Sequence, residues 1–595
     1  MKKYKTRLRE EHTVVLIGLI LGIFLIWIFS KNILNSYGIC IINDEFGYWG
    51  IAASWNGKDW TELLSDTPYY SFGYSLLIVG LYRLLSSTEL VYQCALWINV
   101  ALILGSFWIS YLCGRKIMPQ FSRIVTLFIC FLITIYSNNI VQAQVAWTET
   151  LLYFLFWLSV YLIIRLIQKP TIVKVIFYSV LNVYMYYVHQ RTLGILVSSL
   201  LIVIILLLGR KISFSLFACY IVSFIALFFV GNLIKNDIIT TLFTSKELVA
   251  LNNYSGQTAK LESILTSPEG FLLLLESILG KLFYLGVSTF LFAYIALGHM
   301  IVNCISDLIV VIKAGFYHIK DRTIVAAYLL LAFSSTFLIA AVAMYLPYGR
   351  LDLLIYGRYM EMCIGPILFY GISLLFANKV EKKWVVIYIT ILLILSSVVN
   401  FVFLDLNTTD INAICVVVVS YFFEMADQLN GIPYWIAIVS VSLILILTIF
   451  GKKTRKILMF LLFSLIGLFW IELSNYTGVD RLQNSIISNI GIYMDNISKL
   501  NAEYSLYIVD GAESSDQYSK YIQYWLPDNS IKKISFSDIN NVKKENSIII
   551  IPKEHKKISD IYGEFYVLDK NDGFLLFTDK DNYELIQQWE SIEKE

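Results

Sequence analysis

MKKYKTRLREEHTVVLIGLILGIFLIWIFSKNILNSYGICIINDEFGYW (residues 1–49) contains a basic head, an uncharged apolar run and a pair of adjacent carboxylates. Lys2, Lys3, Lys5, Arg7 and Arg9 precede the run from Thr13 to Ser30, which is long enough to cross ~30 Å of hydrocarbon. No small-residue cleavage site follows it and more apolar segments lie downstream, so the run is expected to be an anchor rather than a cleaved signal peptide. Beyond it comes Asn43-Asp44-Glu45-Phe46-Gly47-Tyr48-Trp49, the only acidic pair in the near-membrane part of that connection.

The rest of the chain repeats the pattern of the opening. Of 595 residues 58% are hydrophobic and only 15% are charged, with a mean hydropathy of +0.68. Soluble domains carry about 25% charged residues. These values exclude a soluble enzyme, a disordered chain and a disulfide-rich secreted protein. Apolar stretches near 13–30, 90–113, 124–142, 149–167, 172–188, 192–209, 212–233, 282–304, 324–346, 360–378, 384–403, 434–450 and 457–474 predict about thirteen transmembrane helices. With the N-terminus cytoplasmic, alternate connections carry Arg115/Lys116/Arg123, Arg165/Lys169/Lys174, Arg210/Lys211, Lys313/Lys320/Arg322, Lys379/Lys382/Lys383 and Lys452/Lys453/Arg455/Lys456. Together with the N-terminal head these hold half of the 46 basic residues, as the positive-inside rule requires of short cytoplasmic loops.

That orientation puts loops 31–89, 234–281 and 404–433 and a C-terminal region, 475–595, on the extracytoplasmic side. The expected division is a transmembrane domain over 1–474 and a small α/β domain over 475–595. In the latter, β-rich runs Tyr504–Val509, Ile531–Phe536, Ser547–Ile551, Phe565–Leu568 and Phe574–Phe577 alternate with helix-like stretches Ser515–Leu526 and Tyr583–Ser591. Within the first loop, Tyr69–Leu85 is apolar, but making it a span would invert every later basic cluster; it is expected to lie in the interface as an amphipathic helix. The eight cysteines show neither CxxC spacing nor a disulfide framework, so buried thiols are expected.

A charge near hydrocarbon is costly and marks a functional hypothesis, and several fall on the outer face. Asp44 and Glu45, held near aromatic residues, suit proton abstraction from a hydroxyl; the plainer alternative is that Asp44 caps and Glu45 begins a surface helix. Glu149, in Ala146-Trp147-Thr148-Glu149, opens the fourth span, where it could simply complement the helix dipole. His189-Gln190-Arg191 forms the tight apex between spans five and six, as either snorkelling side chains or an anion site. Between spans nine and ten lie Arg350, Asp352, Arg358 and Tyr359. Arg358 suits bidentate phosphate recognition with Tyr359 packed on a lipid chain, whereas Arg350 and Asp352 could form a local ion pair.

The order Asp44-Glu45, Tyr48, the Tyr69-Tyr-Ser-Phe-Gly-Tyr-Ser segment, Glu149 and Gly-Arg358-Tyr359 with Pro366 beyond it, all on one face, resembles the GT-C superfamily of integral membrane glycosyltransferases. Within it, the chain is similar to the bacterial branch of protein O-mannosyltransferases and lipid A aminoarabinose transferases, over roughly residues 1–380. The resemblance implies transfer of a sugar from a polyprenyl-phosphate donor to a lipid, glycan or protein acceptor at the outer face of a bacterial cell membrane. It implies Asp44 as general base, Glu45 as a partner orienting the site or a metal, and Arg358 as the first ligand of the donor phosphate. Arg191, His189 and Arg350 are further phosphate candidates, Tyr359 lines the lipid cleft, and Glu149 and Tyr48 support the site. No metal ligands are assigned; a divalent cation is a candidate cofactor only. Two other classes are consistent with a polytopic chain: a transporter or flippase, and a non-catalytic scaffold for surface polysaccharide assembly. No basic stripe for nucleic acid is present.

Overall fold

The structure, a computed structural model, describes residues 2–85, 87–252, 254–345, 350–406, 410–424, 430–449, 455–476, 505–512, 515–542, 547–555, 566–567, 574–578 and 583–584. Among these, eleven helices are long and apolar enough to cross a membrane, or twelve if the bent pair Arg123–Thr134 and Ser137–Ala143 counts as one. Two expected spans are shorter apolar helices, Ile172–Val188 and Ile432–Thr448. The protein is a polytopic helical membrane protein with a small C-terminal sheet.

Three segments differ from expectation. The span placed at 124–142 is broken, its two helices meeting at 57°. The span placed at 282–304 is also two helices, Pro268–Ser288 and Phe292–Ala314, separated where Phe290 and Leu291 take φ of 48° and 63°. Ser277 donates to the Ala341 and Met344 carbonyls at 3.0 and 3.1 Å, beside the end of the Asp321–Ala343 helix. Asp307 accepts from Lys320 at 2.6 Å and from Thr323, beside its start. The two helices therefore run once along this neighbour as a single interrupted pass. The connection 234–281 is helical for most of its length rather than a loop, because Phe214–Leu242 continues past the apolar stretch and further helices follow.

The Tyr69–Leu85 segment is not one amphipathic helix. It forms two short helices, Gly73–Ile78 and Leu81–Leu84, with Tyr69, Phe72, Tyr74 and Ile78 buried. Tyr184 donates to the Gly73 carbonyl at 2.9 Å, and a Cβ at Gly73 would fall on the Tyr187 carbonyl, so only glycine permits this approach. In the 404–433 connection, Val416–Val419 are buried in the bundle, and Gln142 donates to the Ile414 carbonyl at 3.0 Å.

The C-terminal domain has strands β1 (Ser505–Val509), β2 (Ile531–Ile534), β3 (Ser547–Pro552), β4 (Tyr566–Val567) and β5 (Phe574–Thr578) in the order β2-β1-β3-β5-β4. The β2, β1 and β3 strands are parallel and β5 runs antiparallel to both its neighbours. A Ser515–Trp525 helix links β1 to β2, the crossover that a parallel pair needs. Of the expected Tyr583–Ser591 helix, all but residues 583–584 lie outside the described residues.

The domain is fastened to the first loop. Tyr524 stacks edge-on against Trp49 at 5.6 Å and donates to the Thr88 carbonyl at 3.1 Å, while Trp60 donates to the Pro527 carbonyl at 3.0 Å. Lys533 reaches Asp66 at 2.7 Å.

Candidate active site

Four elements start at one end of the bundle and bring their first charged residues together. Asp44 lies in the first turn of the Ile42–Ser54 helix, Glu149 in the first turn of Thr148–Gln168, and Arg358 opens Arg358–Phe376. Arg191 lies in the 3-10 turn Gln190–Thr192, which leads into the Leu193–Leu208 helix. The carboxylates are at the end of the helix dipole that favours them; Arg358 has the wrong sign for its position. Its neighbours correct that. Arg358 donates through Nε to Glu149 and through an Nη to Asp44, both at 2.6 Å, and its guanidinium lies 3.8 Å over the Trp147 ring.

The chain of charge continues through Glu149, whose second oxygen accepts from Arg191. Arg191 in turn lies 4.7 Å over the Tyr359 ring. The order is Arg191, Glu149, Arg358, Asp44, with two cations and two anions. The Arg191, Glu149 and Arg358 side chains are 2%, 6% and 8% exposed, and Asp44, at 15%, is the most open of the four. Buried charges survive when paired and hydrogen-bonded, and this alternation provides both. Among the described residues, Nε and one Nη of Arg191 have no hydrogen-bond partner.

Asp44, Arg358, Tyr359 and His189 line a cleft of about 980 Å³. Tyr70, Arg350, the 40–43 segment and the 410–415 segment are also in the wall on the membrane-domain side, and Asp516 and Gln517 of the C-terminal domain line it too. His189 is buried, edge-on to Tyr359 with ring centroids 6.0 Å apart. Burial pushes its imidazole pKa well down, and Arg191 and Arg358 push in the same direction, so the ring is neutral. Lys520, on the same helix as Asp516, donates to Asn43 and to Asp516 at 2.7 Å each. It thereby ties the C-terminal domain to the residue before Asp44.

Other sequence candidates have different surroundings. Glu45 is fully buried and accepts from the Cys40 and Ile41 backbone N–H groups and the Tyr92 hydroxyl, each at 2.7 Å, and from the Ala146 N–H at 3.2 Å. Burial raises its pKa, with those donors opposing. It ties the first loop to the residues before the Thr148–Gln168 helix and does not itself line the cleft, although Cys40 and Ile41, whose N–H groups donate to it, do. The Ile42–Ser54 helix begins before Asp44 and is largely buried, so Asp44 is not its cap and the helix is not a surface one. Arg350 forms the local pair with Asp352, at 3.1 and 2.6 Å, while still reaching the cleft wall. Tyr48 is buried behind the site, 6.1 Å from Tyr70.

Sequence reading did not single out Trp147, Tyr70, Asp516 or Lys520. Trp147 and Tyr70 stand inside stretches quoted for other residues, and an aromatic ring beside a boundary charge was the available signal. Nothing local marks Asp516 or Lys520. Among the described residues no group of three or more His, Cys, Asp or Glu side chains could hold a metal ion. Asp44 and Glu149 are both engaged by Arg358.

Comparison of the sequence with family models gives no match, and comparison with curated proteins gives none. The structure is similar to that of ArnT from Cupriavidus metallidurans bound to undecaprenyl phosphate, with 11% identity and a TM-score of 0.52 over 95% of this chain and 97% of that one. The same protein in the apo state matches with 12% identity and a TM-score of 0.52, over 96% and 98%. The archaeal oligosaccharyltransferase AglB from Archaeoglobus fulgidus, in complex with an inhibitory peptide and a dolichol-phosphate, aligns with 10% identity and a TM-score of 0.42, over 91% and 69%. At 11–12% identity the likeness to ArnT is one of fold.

Proposed function

We propose that the chain is a membrane glycosyltransferase that moves a sugar from a polyprenyl-phosphate-linked donor to a hydroxyl of a lipid, polysaccharide or protein acceptor at the outer face of the membrane. The observation that carries this reading is the Arg191-Glu149-Arg358-Asp44 chain ending at an open cleft. The fold shared with an undecaprenyl-phosphate-bound ArnT supports it.

In the proposed reaction the acceptor oxygen attacks the anomeric carbon while its proton passes to Asp44, the most exposed member of the chain. The bond from that carbon to the phosphate oxygen breaks with its electron pair, leaving polyprenyl phosphate. Negative charge grows on the leaving phosphate, and preorganised cations stabilise such charge most strongly in a site shielded from water. Arg358 supplies this, with Arg191 behind it. Neutral His189 can donate a hydrogen bond to the same anion. Glu149 holds both arginines in place. Glu45 is not part of the reaction.

The test is analysis of membrane lipids and surface glycans from cells with the wild-type protein, with Asp44→Asn, and without the protein. Loss of one sugar from the same polymer in both altered strains, with accumulation of its polyprenyl-phosphate form, supports the proposal. An Asp44→Asn strain that matches wild type while the deletion does not would leave a carrier or scaffold in its place.

A further inference from the structure

The far end of the Arg358–Phe376 helix carries a second cleft, of about 440 Å³. The 19 residues of that helix, at ~1.5 Å each, separate it from Arg358 by roughly 28 Å. It opens among the ends of five helices, and its walls are of three kinds. Ile164, Ile167, Val325, Ala326, Leu329 and Leu374 form an apolar side. Lys116, Arg322 and Lys379 stand around it as cations. Among the described residues none of these three makes an ion pair. The one acidic residue at the cleft, Asp321, is engaged by Lys211 at 2.5 Å.

A third part of the lining is polar and uncharged. His299 Nδ1 lies 3.0 Å from the Tyr370 hydroxyl and 2.8 Å from the Asn303 amide nitrogen. With Asn303 donating to Nδ1, the neutral ring carries its proton on Nε2 and is a donor. Scattered lysines and arginines are expected at this end of a membrane protein. Three unpaired cations around a cavity with one apolar side and a hydrogen-bonding group are a narrower arrangement. It complements an anionic headgroup attached to a hydrocarbon chain, the way basic pockets between transmembrane helices take acidic lipids.

We propose that this cleft binds an anionic glycerophospholipid, its phosphate held by Lys116, Arg322 and Lys379 and an acyl chain lying against Val325, Leu329 and Ile164. The site is separate from the glycosyl-transfer reading and stands whether or not that reading holds.

The experiment is thermal unfolding of the purified full-length chain in detergent, titrated with phosphatidylglycerol, with phosphatidylcholine, and with glycerol 3-phosphate alone. Phosphatidylglycerol is expected to raise the melting temperature in a saturable way and the other two to leave it in place. The variant Lys116→Gln/Arg322→Gln/Lys379→Gln is expected to lose on the order of a hundredfold in apparent affinity, from three surface cations at a lipid headgroup. Ala326→Leu, which narrows the apolar side and keeps every charge, is expected to weaken the same response and provides an independent variant. Equal stabilisation by phosphatidylcholine, equal stabilisation by glycerol 3-phosphate, or an unchanged response in both variants overturns the proposal.

Discussion

The two ends of the Arg358–Phe376 helix treat charge in opposite ways. At its start, Arg358 is buried between Asp44 and Glu149, and every charge in the chain through Arg191 has an oppositely charged neighbour. Just past its end, Lys379 is exposed and, like Lys116 and Arg322, has no ion-pair partner among the described residues. Buried charges depend on their partners, so removing one leaves another uncompensated; exposed ones are solvated and change little singly. The cluster at the start is therefore fixed and sensitive, and the cluster at the end is tolerant.

The largest expected effect follows from removing the shared partner. Glu149→Gln leaves Arg191 and Arg358 without their common anion, and unfolding measurements should show a loss of about 3–5 kcal/mol, as for other broken buried pairs. A variant as stable as wild type would show the chain to be looser than its geometry. Asp44→Asn removes the most open member instead and leaves Arg358 paired with Glu149; expression and folding are expected to persist while transfer falls by roughly 10²–10⁴-fold, the range for a lost general base. Purified enzyme with a polyprenyl-phosphate sugar donor measures it.

Glu45→Gln separates the two neighbouring carboxylates. It disturbs three backbone contacts and Tyr92, so a stability loss of about 1–3 kcal/mol is expected, with transfer retained in the molecules that fold. A loss of turnover without a loss of stability would return Glu45 to the reaction. Arg350→Ala is the smallest change. The Arg350 side chain is 41% exposed but its partner Asp352 is fully buried and keeps the Asn412 N–H at 2.9 Å, so a stability loss of about 1–2 kcal/mol is expected; a large rise in KM for the donor would make Arg350 a phosphate ligand.

Asp44 and Glu45 also show how far sequence reading reaches. Both are visible as an acidic pair near a membrane boundary, and nothing in the string separates their roles. Successive helical residues point about 100° apart, so one faces the cleft and the other the packed joint at Tyr92 and Ala146. Glu149, Arg358 and Arg191 were legible for the same reason as Asp44, since charges so close to apolar runs are rare and costly. Their pairing was not. The Arg358 partners stand 314 and 209 positions away, and no local pattern links residues so far apart. The 234–281 connection is helical for a different reason: hydropathy reports the solvent a segment suits, not its backbone form.

The sequence by itself determined that this is a many-spanning membrane protein with its basic residues in short alternate connections and an alternating strand and helix pattern after the last span. Those properties follow from the length of hydrocarbon to be crossed, the cost of charge within it and the period of each backbone form, all of which act locally. Only the tertiary structure decided that Glu149 joins two arginines, that Glu45 turns inward, and that Lys520 of the C-terminal domain reaches the residue beside Asp44. Those depend on which side of a helix faces which neighbour, and that is set when the helices and the domain pack together.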